Sequence, residues 1–577
     1  MIVNNAYETL TDSEKMYVDV IHKVLKTEVT SPNLINDELF NFLILQQIQK
    51  YENDNRDVIK EMSNFSMMTD ELDRIISRKK DVSKSEIEHK LSAYLNAITT
   101  SKRFGEMQRV IELKRKWSVN KYIEKFDFEL FKGIKIWLLT PDVVSEIVPM
   151  QSGLFDLVIF DEASQMFIEK GIPSIMRAKK VVIAGDHKQL RPSKLGAGRI
   201  GMDEDDMDED EEMPIFEEAN SLLDVSRFRY PNVMLRYHYR SKYEELIAFS
   251  NYAFYNGRLF VSPNVDEGIE PPIVVHKLDN GQWENRSNIE EAKKVVELID
   301  NILKTRKENE TIGVITFNST QMDLIEKLLE DRCAEDQEFA ALYNQEIIRK
   351  ENGEDIGLFV KNIENVQGDE RDIIIFSIGY AKGPNGKIVR NFGWLNQHGG
   401  ENRLNVAISR SKKKIHIVTS FVPSELNVDD VKNEGPKLLK KYLQYCFAIS
   451  EGSKTAAESI LKGLHDDDMF TYNTEHNDRM IDEIHSMLLE RGLTAEKNVG
   501  IGGYSIDVAV RKGDRYVLGI ECDGKLYNNS MSTKERDYHR RKYLESRGWD
   551  IYRMWSPLWW KNPQSEVDKI VKIVESS

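Results

Sequence analysis

Cysteine is scarce in this chain: Cys333, Cys446 and Cys522 are the only three in 577 residues, and they lie far apart. That spacing excludes a disulfide framework and a cysteine-rich zinc site, and it fits a reducing cytoplasm. Long apolar runs are missing too. No stretch approaches about 18 uninterrupted apolar residues, so no membrane span is expected. The opening MIVNNAYETLTDSEK has neither the basic nor the apolar region of a secretory signal. Glycine and proline are sparse over residues 1–130, which are charged and rich in helix formers. There LFNFLILQQIQKY and DELDRIISRKK carry apolar residues at helical spacing, which predicts a helical arm.

Basic residues are outnumbered, 80 against 96 acidic ones, for a net charge of −16. Such a balance first argues against a nucleic-acid partner. The total misleads, because Met202–Met213 (MDEDDMDEDEEM) alone holds nine carboxylates and no base. This run is predicted to be a solvated insert. Without it the protein is mildly acidic and can still line a channel with Lys and Arg. Hydrophobic content of 40% suffices for several cores, and the length suggests roughly three or four domains.

From Ile134 the pattern changes. IKIWLLT, LFDLVIFDE and AKKVVIAGD form a first set of strand-like apolar runs, and TIGVITF, RDIIIFSIGY and KKIHIVTS a second. Near-continuous apolar strands are what a parallel sheet covered on both faces requires. The expected fold class is therefore α/β, with parallel-sheet units at 131–230 and 231–425. A linker at 426–470 leads to a further helix-plus-sheet pattern at 471–577.

Chemistry collects at the ends of these runs. VIFDEASQ (Val158 to Gln165) ends a strand in paired carboxylates, where a nucleotide-hydrolysing site places a Mg²⁺-water ligand and a water-orienting base. VVIAGDHKQLRPS can set Asp186 and Gln189 beside a γ-phosphate. In LRYHYRSKYEELIAFSNYAFYNGRL, Arg240 can fork onto a phosphate. In IENVQGDERDIIIFSIGY, Gly368 permits a tight turn, and Asp369 and Glu370 can meet a ribose or nucleic acid. NRLNVAISRSKKKIHIVTS places Arg410 before a buried strand. One such motif is weak; five in this order are specific. Yet no G-x-x-x-x-G-K-[ST] loop occurs. Gly386–Lys387 and Gly524–Lys525 are the only Gly-Lys pairs, and an apolar residue follows each.

With these motifs, residues 114 to 421 resemble the superfamily-one helicases, in the branch of the nonsense-decay and replication-associated enzymes. The resemblance implies two RecA-like units, Asp161 on Mg²⁺, Glu162 activating water, and Gln189 sensing the γ-phosphate. It makes Gly368 and Glu370 part of the ATP site, and Arg240 and Arg410 its arginine fingers. Thr140, Pro141, Gln367 and Asn405 would grip a single strand. His238 stands where the family often has Gln. The family's P-loop would precede residue 1, so the chain is expected to begin midway through the first RecA-like domain. ATP use would then need an upstream partner chain carrying that loop, and the isolated chain should not hydrolyse ATP.

The tail carries its own constellation. YSIDVAV places Asp507 in one strand, and LGIECDG places Glu521 and Asp523 on one face of the next. Hard oxygen ligands of this kind suit Mg²⁺ or Mn²⁺. The helix TKERDYHRRKYLESRG offers Lys534, Arg536, His539, Arg540, Arg541 and Lys542 as a phosphate-contacting face. Trp549, Trp555, Trp559 and Trp560 are expected to build a small core. From Asp478 to Lys561 this resembles the very-short-patch-repair-like branch of the restriction-endonuclease-like superfamily. That implies metal-binding acids at Asp507, Glu521 and Asp523, with Glu483 a weaker candidate. Asn528 stands where relatives often have His. The leading reading is a helicase–nuclease polypeptide acting on single-stranded or duplex DNA, in foreign-DNA defence or repair. The rivals are a non-enzymatic DNA-binding scaffold and an ATP-independent nuclease.

Overall fold

The computed structural model describes residues 7–27, 32–63, 65–192, 221–266, 268, 270–383, 386–388, 392–397, 399–428, 430–464, 479–524, 532 and 534–576. The acidic run 202–213 and Tyr527–Asn528 lie outside the described residues. Two compact units are present, Met1–Asn96 and Ala97–Ser577. The first is helical, as expected, with helices Asp12–Thr27, Pro32–Asp54 and Arg56–Ser63 and the long Phe65–Thr99. No helix among the described residues is long and apolar enough to cross a membrane.

The larger unit has an α/β architecture of two RecA-like parts and a C-terminal restriction-endonuclease-type domain. In the first RecA-like part, β1 (Val158–Phe160) and β2 (Val181–Ile183) pair in parallel, with Ile159 opposite Val182. Phe160, Ala163, Leu222 and Leu223 make its small core. The strand expected over Ile134–Thr140 does not form. A strand exists only through ladder partners, and here none is present among the described residues, so Ile136 and Leu138 are 78% and 89% exposed.

The second RecA-like part contains β3 (Ile273–Lys277), β4 (Ile312–Thr316), a small hairpin of β5 (Lys350–Glu351) and β6 (Glu354–Asp355), β7 (Phe359–Asn362), β8 (Arg371–Ser377) and β9 (Ser411–Thr419). Its five-stranded sheet runs β3-β9-β8-β4-β7, and every pairing is parallel. Helices cover both faces, which is why β4 is apolar and buried along its whole length.

The C-terminal sheet runs β10 (Thr494–Val499), β11 (Ile506–Lys512), β12 (Arg515–Cys522) and β13 (Ile551–Met554). The first three strands are antiparallel and β13 lies parallel to β12. Helices Arg479–Glu490 and Pro563–Ser576 pack on one face with buried Trp559. Trp549 closes the other face with Leu544 and, from the second RecA-like part, Val265. Trp560 is exposed, so the expected tryptophan core holds for Trp549 and Trp559 but not for Trp560.

That second face docks the domain onto its neighbour. Buried Glu244 accepts hydrogen bonds from the Ile501 and Gly502 amides (2.6 and 2.7 Å), and Asn251 Nδ2 donates to the Gly502 carbonyl (2.7 Å). A Cβ on Gly503 would lie 2.7 Å from Asn251 Nδ2 and its φ is +100°, so only glycine suits this contact. Burial, then the charge of Glu245, raises Glu244 from 4.5 to about 8. An acid raised by folding keeps a proton that the unfolded chain releases above its ordinary value. Its contribution is thus complete below 4.5 and disappears as pH rises through about 8. The melting temperature of the docked domain should fall from about pH 5 to about pH 9, and Glu244→Gln should flatten that slope. An unchanged pH profile in the variant would refute this assignment.

Candidate functional site

Two clusters stand out, a cleft between the RecA-like parts and a carboxylate pair in the C-terminal domain. In the cleft, β1 delivers Asp161 and Glu162 at its carboxyl end. Glu162 adopts a left-handed backbone (φ 51°, ψ 37°) just before the 3₁₀ turn Ala163–Gln165. That conformation is uncommon for a residue with a Cβ and concentrates at functional positions. The Asp161 carboxylate accepts the Glu162 amide at 3.0 Å, and Gln165 Nε2 lies 3.4 Å from the Glu162 carboxylate. Gly185 lies just past β2, where a Cβ would stand 3.0 Å from the Ser164 nitrogen; glycine lets the segments that follow the two strands meet. Next to it, Asp186 accepts from the Lys188 amide (2.9 Å), Gln189 Nε2 (3.1 Å) and the Tyr255 hydroxyl (2.5 Å).

The second RecA-like part reaches across. Gln367 Nε2 points at Glu162 (3.3 Å) and at Gln189 Oε1 (3.5 Å). Asn405 Nδ2 donates to the Lys188 carbonyl and the Tyr255 oxygen, both at 2.8 Å. Arg240 pairs with Glu370, which also holds Lys412 at 2.9 Å. Burial alone would raise Glu370, but Lys412 and Arg240 bring it below the usual carboxylate range. Buried Arg410 donates to the Val406 carbonyl (2.8 Å) and Ser409 Oγ (3.1 Å). Burial first, then the Arg240 charge, lowers its pKa to about 10, against the opposing pull of Glu370 and Glu162. It stays charged at neutral pH.

Glu162, Gln189, Arg240, Glu370 and Arg410 are thus brought together, with Asp161 adjoining Glu162 and Gly368 (φ +89°) beside Gln367. Two residues expected on a nucleic-acid strand have partners within the cleft. Gln367 lies against Glu162, and buried Asn405 is engaged with Lys188 and Tyr255, so both bridge the two parts. Thr140 and Pro141 open the helix Pro141–Ile147, which is tied to the next helix by a Lys170–Asp142 ion pair (3.2 Å). Tyr255 went unnoticed in the sequence; in SNYAFYNG it reads as one more aromatic of a buried helix. The donor set fits Mg²⁺. Asp161 is exposed, its one hydrogen bond among the described residues is from the Glu162 amide, and it would hold the ion's water shell while the ion neutralises phosphate charge.

In the C-terminal domain, the register that sets Val508 opposite Ile520 makes Asp507 and Glu521 neighbours. Asp507 accepts the Cys522 amide (2.7 Å), and burial raises its pKa to about 6. Glu521 is 1% exposed and lies between Arg540 Nε (2.6 Å) and an Arg553 nitrogen (3.1 Å). Burial would raise Glu521, yet the two guanidinium groups hold it below the usual range. Asp523, expected as a third ligand, instead caps the helix Ser556–Lys561, accepting from the Ser556 amide (2.8 Å) and hydroxyl (2.9 Å). Glu483 pairs with Arg479 (2.9 Å).

No three His, Cys, Asp or Glu side chains among the described residues form a metal-holding group. In this arrangement Glu521 is neutralised by Arg540 and Arg553 and Asp523 serves a helix end, so Asp507 is the acid left to hold Mg²⁺ or Mn²⁺. The basic face has acidic partners of its own. Arg536 pairs with Asp537 (3.0 Å), Arg540 with Glu521 and Arg541 with Glu545 (2.7 Å), because acids on the same helix and the adjacent strand stand within reach.

The fold is that of two RecA-like parts joined to a restriction-endonuclease-type domain, and the family matches follow the same division. Residues 22–195 and 214–421 match two AAA-domain families, and residues 481–574 match the REase_MTES_1575 family. Among its relatives is the uncharacterized ATP-dependent helicase MG140 homolog of Mycoplasma pneumoniae, 34% identical over 76% of this chain and 38% of the relative. MG140 of Mycoplasma genitalium is 33% identical over 77% of the chain and 39% of its own length. The uncharacterized ATP-dependent helicase MJ0104 of Methanocaldococcus jannaschii is 27% identical over 50% and 39%. The chain therefore spans at most 39% of the length of these three relatives.

Proposed function

We propose that this chain forms the catalytic-carboxylate side and the second RecA-like part of an ATP-dependent DNA helicase, with a C-terminal domain that acts on the same DNA. The observation that carries the reading is the approach of Gln367 to Glu162 and Gln189, with Arg240 and Arg410 around the same cleft. Glu162 orients the attacking water, Gln189 senses the γ-phosphate, and the two arginines meet the charge that develops on the transferred group. The 577 residues hold no P-loop motif, and in this reading the phosphate cradle is supplied by residues outside them. Ile159 on β1, 63% exposed, and the exposed Ile136 and Leu138 support this, since such residues belong beneath further layers of a sheet.

The 577-residue chain should show no DNA-stimulated ATP hydrolysis by itself, and turnover should arise when a P-loop segment is joined or added. Turnover by the chain alone that disappears in Glu162→Gln would overturn this proposal.

For the C-terminal domain we propose cleavage of DNA, because translocation would feed strand to a tethered cutter at high effective concentration. Defence against foreign DNA or repair is the setting we propose, since either can use that combination. The neutralised Glu521 favours a second reading, a DNA clamp without cleavage. Nicking of supercoiled DNA by the full chain with Mg²⁺ or Mn²⁺, lost in Asp507→Asn, would decide for cleavage. Binding without nicking across divalent metals would decide for the clamp.

A further inference from the structure

The helical segment Glu535–Ser546 makes contacts in two domains. It begins as a π-helical turn, Glu535–His539, and continues as an α-helix over Arg540–Ser546. Such widened turns recur at functional positions. On the inner face, Arg540 pairs with Glu521 at 2.6 Å and its guanidinium lies 4.1 Å from the centre of the Tyr504 ring. On the same face, three residues on, the Tyr543 hydroxyl donates to the His238 carbonyl (2.5 Å) and accepts from the Ser262 amide (3.0 Å). The Tyr543 ring stands 4.9 Å from that of Tyr237, whose hydroxyl bonds to Glu535.

Arg547, at the end of the same helix, donates to the carbonyls of Tyr239 (3.2 Å), Lys242 (3.1 Å) and Ser241. The carbonyls of His238, Tyr239, Ser241 and Lys242 are all held by the C-terminal domain, and Arg240 lies in their midst. His238 itself is flanked by Arg240 and Arg547; burial, then those charges, lower its pKa to about 3. Its neutral Nε2 accepts the Ser241 amide at 3.0 Å, which tightens the loop around Arg240.

We propose that Glu535–Ser546 couples the Asp507–Glu521 pair to the Arg240 loop, so that releasing Arg540 from Glu521 also shifts the finger. Tyr543 and Arg547 are then positioning residues of the cleft, contributed by the other domain. The significance for the motor rests on the reading of Arg240 given above. The coupling itself does not, because it can be measured without ATP hydrolysis or DNA cleavage.

The test is amide hydrogen exchange on the full chain, followed for residues 236–242 with β4 and β8 as internal references. Tyr543→Phe should speed exchange of the loop about fivefold, the factor that loss of one hydrogen bond produces. Arg540→Met, acting one turn earlier on the helix, should do the same, and Arg540→Lys should give an intermediate change of about twofold because it keeps a charge on Glu521. In all three, β4 and β8 should match wild type. Wild-type exchange of the loop in Arg540→Met, or equal acceleration of loop and references, would overturn the coupling. If Arg540→Met loses its cooperative melting transition, Arg540→Lys decides instead: a loop exchanging at the wild-type rate then refutes the proposal. Failure here leaves the helicase reading intact, whereas ATP turnover without a P-loop would damage that reading and leave this one standing.

Discussion

Arg410→Ala, in an assembly completed by a P-loop, is expected to lower kcat about 10³-fold with little change in single-strand binding. Arg240→Ala should behave in the same way. The two are not equivalent in their surroundings. Arg240 sits on Glu370 and can turn toward a phosphate by exchanging one anion for another. Arg410 is buried against Val406 and Ser409, so it is presented with little freedom and a low reorganisation cost. Arg240→Lys should not restore the rate, since an ammonium lacks the planar fork. Steady-state hydrolysis measured beside a DNA-binding titration separates these outcomes. Wild-type kcat in either alanine variant would remove that arginine from the chemistry.

Glu521→Ala should destabilise the C-terminal domain by about 3–5 kcal/mol, because it strands Arg540 and Arg553 without their anion. Denaturant unfolding followed by the fluorescence of buried Trp549 and Trp559 would report the loss. A change below about 1 kcal/mol would mean that the two arginines do not depend on Glu521. Loss of DNA cleavage in Glu521→Ala therefore says little about a metal. Asp507→Asn is the cleaner probe: it keeps the shape and the acceptor for the Cys522 amide and removes only the charge.

The sequence disclosed whatever depends on neighbours along the chain. Apolar runs ending in Asp161–Glu162 or Gly185–Asp186, or beginning at Arg371, are strands in the structure, and the basic stretch 534–546 is a helix. What stayed hidden depends on partners far away. Ile134–Thr140 has the composition of a strand, but composition cannot supply a neighbouring edge. Gln367 was expected on nucleic acid because nothing local reveals that Glu162, 205 residues earlier, lies opposite. Arg540 read as a phosphate contact because an exposed cation and one buried over a carboxylate look alike in a helix pattern. The tyrosine joining Asp186 to Asn405 was indistinguishable from its aromatic neighbours.

Strands β1 and β2 have three residues each, and Ile159 at their centre is largely bare. A ribbon so short and so open contributes little stability of its own and offers its free edges to any passing strand. When the chain is synthesised without whatever covers that ribbon, residues 134–183 should be the stretch that chaperones engage and proteases cut first. The second RecA-like part and its docked C-terminal domain should outlast it as a resistant core.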